Sequence, residues 1–379
     1  MEIRDGVAID PGTGVAEDHK KYDFEVLPAG TTFPVRLDLL VSAETEHPDA
    51  AEKALLKSLA SALEAFSHGE SAFGARRSRE LGCVSAVWTA KRFDLGSEAG
   101  WVEWLLSDHQ RPLNDAVERA CIRAALENAA PEFLKPISLH CDARKRVVIA
   151  LQLEVVHDLL VRSPGVEPDA PDVSHLHSGG AAILPGTRLA GVMRAQALRI
   201  AKLVRDDKKD AETWINRLFG PRFEGQRSPH GFQPQASRLR ISEARLNASS
   251  PQRQTRVAID RFTQGVVNTA LFEEQTEVGG RAEVRLELRN PHEGELGLVL
   301  LTLKDLLDGT LPVGGASSVG RGVLRGAATV TWHEGNGSEP DCARIEPGSP
   351  PTGDAAGKID RAIRAFHDAA CAVREGDRA

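Results

Sequence analysis

This chain of 379 residues has no run of roughly eighteen apolar residues, so no transmembrane helix is expected. Its start, Met1-Glu2-Ile3-Arg4-Asp5, lacks the apolar core of a secretory signal. The five cysteines, Cys83, Cys121, Cys141, Cys342 and Cys371, are scattered and form no CxxC pair. That spacing argues against a zinc knuckle or a disulfide scaffold and leads us to expect a cytoplasmic protein. A basic average is missing too, since the formal net charge is -7.

What is present suits a globular protein of two or three domains, with 41% hydrophobic and 27% charged residues. The charge is unevenly spread. From Arg188 to Arg256 there are 15 Lys or Arg against 6 Asp or Glu, a local excess of +9. Phosphate binding needs a local positive surface rather than a basic average. A solvated, helix-rich surface gives the same count.

An internal repeat organises the chain. Val7-Ala8-Ile9-Asp10 recurs as Val257-Ala258-Ile259-Asp260. A turn-rich stretch follows each copy, then an aromatic in an acidic run, Tyr22-Asp23-Phe24-Glu25 and Phe272-Glu273-Glu274. After a glycine turn comes an alternating strand, Val35-Arg36-Leu37-Asp38-Leu39 in one copy and Val284-Arg285-Leu286-Glu287-Leu288 in the other. Helices are expected over Asp49–Phe66 and Glu295–Leu307. Each copy then ends in a loop, residues 73–82 and residues 313–322, that feeds a strand.

The second copy has an upstream half that the first lacks. It opens with an apolar strand over Val147–Val155 and a loop rich in Asp, Pro and Gly to Gly180. Ile183–Gly191 then leads into a helix over Val192–Val204, with Thr187 as the expected N-cap. A further strand is expected over Arg238–Leu246. Residues 147–332 thus read β-α-β-β-α-β, the ferredoxin-like (RRM-like) order, and the fold class is α+β. The first copy supplies only the later β-α-β part, so the expectation is a fragment, a misplaced start, or a sheet completed by another chain. Residues 1–95 are the incomplete domain and 96–135 a helical connector, with helices over Ser97–Leu106 and Leu113–Ala129. Residues 136–335 are the complete domain, and 336–379 a flexible segment with a C-terminal helix.

Five groups of residues together resemble one family. They are Leu184-Pro185-Gly186-Thr187-Arg188-Leu189-Ala190-Gly191-Val192-Met193-Arg194, Leu218-Phe219-Gly220, Ser237–Ala244, Val257–Arg261 with Ala270–Glu273, and the glycine-rich loop Gly314–Gly322. The chain resembles the RAMP superfamily of CRISPR-associated proteins, in particular backbone subunits of type III effectors. The resemblance implies binding of a guide RNA, a target RNA and other effector subunits, with a projecting loop that kinks the RNA. In catalytic members an Asp in the loop before the signature helix cuts target RNA with a divalent metal. Gapless matching places that Asp near Ala170, between Asp169 and Asp172, which departs from the pattern. Asp172 is the first candidate for catalysis and for a metal, and Mg²⁺ is expected only if the chain is catalytic. Two loop aspartates that only make turns are the other reading.

The motifs carry their own chemistry. Pro185, Gly186 and Thr187 open a helix whose free N–H groups suit a phosphate, with Arg188 and Arg194 as further contacts. Gly314, Gly315, Ser317, Ser318 and Arg321 form a loop able to approach a phosphate closely. It is no phosphate-loop NTPase, because Arg321-Gly322 stands where Lys-Ser/Thr is needed and the loop follows a helix rather than preceding one. Arg76, Arg77 and Arg79 make the equivalent loop of the first copy more basic. The stretch Gln252–Phe272 reads as a projecting hairpin. Its Phe262, beside Arg261, is either a wedge against a base or a core residue. Three rivals remain open. One is a guide-RNA-processing endoribonuclease with His175 or His177 as general base, and another is a non-catalytic RNA-binding scaffold. The third, a scaffold that binds no RNA at all, predicts no salt-dependent RNA binding.

Overall fold

The structure is a computed structural model that describes residues 1–10, 16–42, 48–67, 71–76, 81–108, 117–131, 144–164, 169–204, 208–221, 235–292, 294–335 and 338–376. These fall into two compact units. One holds the described residues of 1–31 and 143–379, the other those of 32–77 and 81–142.

The chain opens with an antiparallel hairpin, β1 (Glu2–Ile9) and β2 (Ala16–Val26). The smaller unit contains α1 (Pro48–Ser67), α2 (Glu98–Leu106) and α3 (Ile122–Ala129). Leu56 and Ala60 of α1 pack on Ile122 and Leu126 of α3. Ser97 caps α2, its hydroxyl accepting from the Gly100 N–H at 3.1 Å. Two expectations fail in this unit. Residues 31–42 contain no helix or strand, so Val35–Leu39 alternates without a sheet to join. Of the helix expected over 113–129, only Ile122–Ala129 forms among the described residues. Residues 117–121 are drawn out instead, because Trp88 and Arg119 exchange both backbone hydrogen bonds at 2.7 and 2.8 Å.

In the larger unit β3 (Arg146–Val155) alternates buried Val147, Ile149, Leu151, Leu153 and Val155 with solvent-facing residues, which makes it a half-buried strand. Five short strands follow: β4 (Asp158–Leu159), β5 (Arg162–Pro164), β6 (Val173–His175), β7 (His177–Ser178) and β8 (Ala181–Leu184). Next come α4 (Gly186–Val204), α5 (Lys208–Phe219), β9 (Leu239–Ile241) and β10 (Ala244–Arg245). The long strands β11 (Ser250–Ile259) and β12 (Val266–Val278) lead to β13 (Arg281–Arg289) and α6 (Glu295–Leu307). The chain closes with β14 (Leu324–His333), β15 (Asp341–Ile345) and α7 (Ala356–Gly376).

The central sheet has the order β15-β14-β3-β13-β9 with every pair antiparallel. One face buries Leu189, Met193 and Ala197 of α4, nearly all of α6, and Ile359 and Phe366 of α7. Its outward positions on β3 and β13, such as Gln152, Glu154, Arg281 and Glu283, carry no aromatic ring. The strand expected over Arg238–Leu246 is split, since β10 leaves this sheet to pair with β8. The stretch after Trp332, expected to be a mobile loop, holds β15, whose residues pair with Ala328–Trp332.

Candidate nucleic-acid interface

Strand β8 runs into Pro185, and α4 starts at Gly186. The Pro185 carbonyl accepts from the Arg188 and Leu189 N–H groups at 3.0 and 3.2 Å. Thr187 therefore lies inside the first turn and is not the N-cap. Gly186 is required by contact, because a Cβ there would sit 2.4 Å from the Ile241 carbonyl oxygen of β9. Arg188 is half-buried, and among the described residues no carboxylate pairs with it. Burial and the nearby Arg162 push its pKa below the usual arginine value, while Tyr22 of β2 acts the other way. The half-buried Arg188 guanidinium and the exposed Arg162 repel each other unless an anion lies between them.

The two other arginines expected at phosphate are placed differently. Arg194 donates to the Gly220 carbonyl at 2.6 Å and to Asn216 Oδ1 at 2.7 Å, so it closes the C-terminal end of α5. Arg321 is buried. Its Nε lies 2.8 Å from Asp158 Oδ2, and its two amino groups donate to Glu274 Oε2 at 2.7 Å and Gln254 Oε1 at 2.8 Å. Its charge is neutralised inside the protein, so Arg321 ties the glycine-rich loop to β4 and to the base of the β11–β12 ribbon. A cavity of about 370 Å³ opens beside it, lined by His157, Gln252, Gln254 and Arg256 among others.

The glycine-rich loop is folded back on residues 158–160. The Gly315 N–H donates to the Leu160 carbonyl at 2.7 Å, and the Gly322 N–H to the Asp158 carbonyl at 2.8 Å. Gly314 has φ +102°, and a Cβ there would meet the Leu160 oxygen at 2.6 Å. Two of the backbone donors that seemed available for a phosphate are thus spent on closing the loop. Ser317 and Ser318 are exposed at its crest, in a short 3-10 turn.

Strands β11 and β12 pair from Ser250↔Val278 to Ile259↔Val266. Through all of β11 and from Val266 to Phe272 of β12 the side chains are mainly exposed, as in a ribbon that projects from the unit, whereas Glu274, Thr276 and Glu277 at its base are buried. At the tip Asp260 Oδ1 accepts from the Phe262 and Thr263 N–H groups and from the Thr263 hydroxyl, at 2.7 to 2.9 Å. Those bonds hold the Asp260 carboxyl below the usual carboxylate range. They also fix the turn that presents Phe262, which is 93% exposed and is no core residue. Arg261 beside it is exposed as well.

Asp169 and Asp172 are exposed. Asp172 Oδ2 accepts the Glu273 N–H at 2.9 Å, within β12 and next to its short parallel pairing with β6. Among the described residues no three His, Cys, Asp or Glu side chains cluster to hold a metal. His175 is buried, with Nε2 at 2.9 Å from the Ile183 oxygen and Nδ1 at 3.2 Å from both the Val161 nitrogen and the Leu159 oxygen. Burial lowers its pKa, against the raising effect of the Ile183 carbonyl and Glu277. His177 places Nδ1 2.8 Å from the His175 oxygen and Nε2 3.3 Å from the buried Glu277. Both rings are thus engaged by the fold. Arg76 adopts a left-handed φ of 57° in the smaller unit, while Arg77 and Arg79 lie outside the described residues.

Arg162, Asp158 and Glu274 are residues that the sequence reading missed. Nothing in their local pattern marks them. Only the convergence of β4, β5 and β12 on Arg321 does.

A family model for the RAMP superfamily matches residues 152–325. The match covers a little under half of the chain, from within β3 to the start of β14, and includes the signature helix, the ribbon and the glycine-rich loop. Comparison with curated proteins finds no match.

Proposed function

We propose that this chain binds a guide RNA as a backbone-type subunit of a type III CRISPR effector, beside a target RNA and other subunits of the complex. RAMP proteins are associated with CRISPR RNA-binding complexes, and the matched segment contains the elements this role uses. The strand order β14-β3-β13-β9, with helices α4 and α6 on one face, supports reading the sheet as a ferredoxin-like RAMP domain over residues 136–335. We read residues 1–95 as a partial copy of the same repeat, in which the hairpin β1–β2 and helix α1 are formed and the strand over Val35–Leu39 is not.

The observation that carries the reading is the projecting ribbon with Phe262 at its tip, inside the matched segment. An exposed aromatic on a rigid turn costs the protein nothing in its core and can stack on an unpaired base. The aromatic-free outward face of β3 and β13 offers no such platform. Phosphates are assigned to Arg188 and Arg162, with the exposed Ser317 and Ser318 as further donors, while Arg194 and Arg321 act from within.

The test is anisotropy of a labelled guide RNA across a salt series. Affinity should fall steeply with salt, as several phosphate contacts require. Phe262→Ala should lose about 1–3 kcal/mol of binding, the usual worth of one stacked base, with the thermal midpoint unchanged. Absence of salt-sensitive binding would remove the proposal.

Cleavage of the target RNA is a second reading, with Asp172 as the candidate because its carboxylate is exposed beside the ribbon base. The described side chains do not by themselves build a Mg²⁺ site, so no cleavage step is derived. Chelator-sensitive cutting that is lost in Asp172→Ala would establish it. Guide processing by histidine is disfavoured, since His175 has both ring nitrogens held by backbone groups.

A further inference from the structure

Residues Phe33 to Val41 form the most conspicuous apolar stripe of the smaller unit. Phe33 is 51%, Val35 67%, Leu37 54% and Leu39 38% exposed, and no strand of the described residues pairs with them. Drawn out as a strand, these four side chains share one face, and Arg36 and Asp38 share the other. Arg36 and Asp38 meet in solvent at 3.0 Å.

The segment is self-complementary. Laid antiparallel on a second copy about Leu37, it pairs Phe33 with Val41, Val35 with Leu39, Arg36 with Asp38, and Leu37 with itself. Every apolar residue meets an apolar one and each charge meets its opposite, twice over. Pro34 has no N–H, so its pair with Leu40 must be one of the non-hydrogen-bonded pairs of the ladder. Alternation then makes Arg36 and Asp38 non-hydrogen-bonded pairs too, the kind in which opposite side chains come closest. Neighbouring registers are excluded by charge. Centring on Arg36 or on Asp38 places like charges directly opposite, and a half-step sets each charge against a leucine or a valine.

We infer that Phe33–Val41 is a homodimerisation strand, which pairs antiparallel with the same segment of a second copy of this chain about a two-fold axis at Leu37. The inference does not rest on RNA binding. A strand of this length gives a small interface and a weak dimer, so sedimentation of the full chain is measured up to on the order of 100 μM.

The wild-type chain should show a concentration-dependent dimer. Asp38→Arg sets Arg against Arg36 and should weaken dimerisation at least about tenfold, the factor that 1.4 kcal/mol of repulsion produces. The double variant Arg36→Asp with Asp38→Arg reverses both charges and should restore the dimer. Leu37→Cys should cross-link two copies under mild oxidation, since opposed Cα atoms about 5.5 Å apart suit a disulfide. Phe33→Cys, which faces Val41, should cross-link no more than the wild-type chain with its native cysteines. A monomer at all concentrations, a dimer indifferent to Asp38→Arg, or a segment that pairs with a strand of a different protein would each overturn the inference.

Discussion

The two β-ribbons break register at the same tetrapeptide. Pairing slips between Val7 and Ile9 in β1, and between Val257 and Ile259 in β11. Both ribbons are also clamped at the base by an arginine. Arg4 of the first makes a bidentate pair with Glu243, and Arg321 holds Glu274 of the second. Past the ribbons the copies diverge. The chain leaving β12 turns at Gly279-Gly280 into β13, between β3 and β9, where Val284, Leu286 and Leu288 are at most 2% exposed. The chain leaving β2 enters Val35-Arg36-Leu37-Asp38-Leu39, with the same alternation, and stays outside any sheet of the described residues. Alternation makes a segment eligible to be a strand. Two neighbouring edges make it one.

The strongest way to break this comparison is at the clamps. Arg321→Met removes the guanidinium that pairs with Asp158 and the nearest of three around Glu274, where Arg256 and Arg162 remain at 3.5 and 4.0 Å. It should cost about 3 kcal/mol in denaturant unfolding of the larger unit, the low end for loss of one partner of a buried pair. Arg4→Met should cost less, about 1.5–3 kcal/mol, the worth of hydrogen bonds to a charged group, because Glu243 is more open to water than Glu274. Equal costs would mean that the two ribbons are anchored alike.

Leu286→Ala tests the paired strand. It should cost about 2–5 kcal/mol by the same measurement, as buried leucine truncations do.

A pH series reads the larger unit alone, because His175 is buried in it. Burial lowers the His175 pKa from its usual 6.5. Above that pH the ring is neutral in both folded and unfolded chains and has no effect. Below it the unfolded chain takes up a proton that the folded core refuses, so stability falls as pH drops. The urea midpoint of the larger unit should decline below about pH 6.5, and His175→Gln should flatten part of that decline. A wild-type midpoint with the same slope as the variant would remove His175 as the cause.

Leu37→Ala is the smallest effect. At 54% exposure in an unpaired segment it should stay within about 0.5 kcal/mol of wild type in unfolding. A cost near that of Leu286→Ala would show that the first copy is packed like the second.

Much of the larger unit was legible in the sequence. The alternation of β3 and β13 and the apolar run of α6 stand where periodicity put them, and the ribbon holds the repeated tetrapeptide. The failures have physical causes. Thr187 looked like a cap, but the Pro185 carbonyl already takes the first helical bonds. Residues 117–121 looked helical, but pairing with Trp88 draws them out. The stretch holding β15 is rich in Gly, Pro and Ser, so composition hid a strand that exists because β14 offers an edge.

By itself the sequence determined which segments become strands and helices in the larger unit, because side-chain periodicity is a local property that backbone geometry reads directly. Tertiary structure alone decided what the basic residues do. Arg188, Arg194 and Arg321 look alike along the chain, yet Arg194 caps a helix end, Arg321 is neutralised by Glu274 from 47 residues away, and Arg188 has no carboxylate partner among the described residues. Charge compensation depends on distance in space, and only folding brings those carboxylates and carbonyls into range.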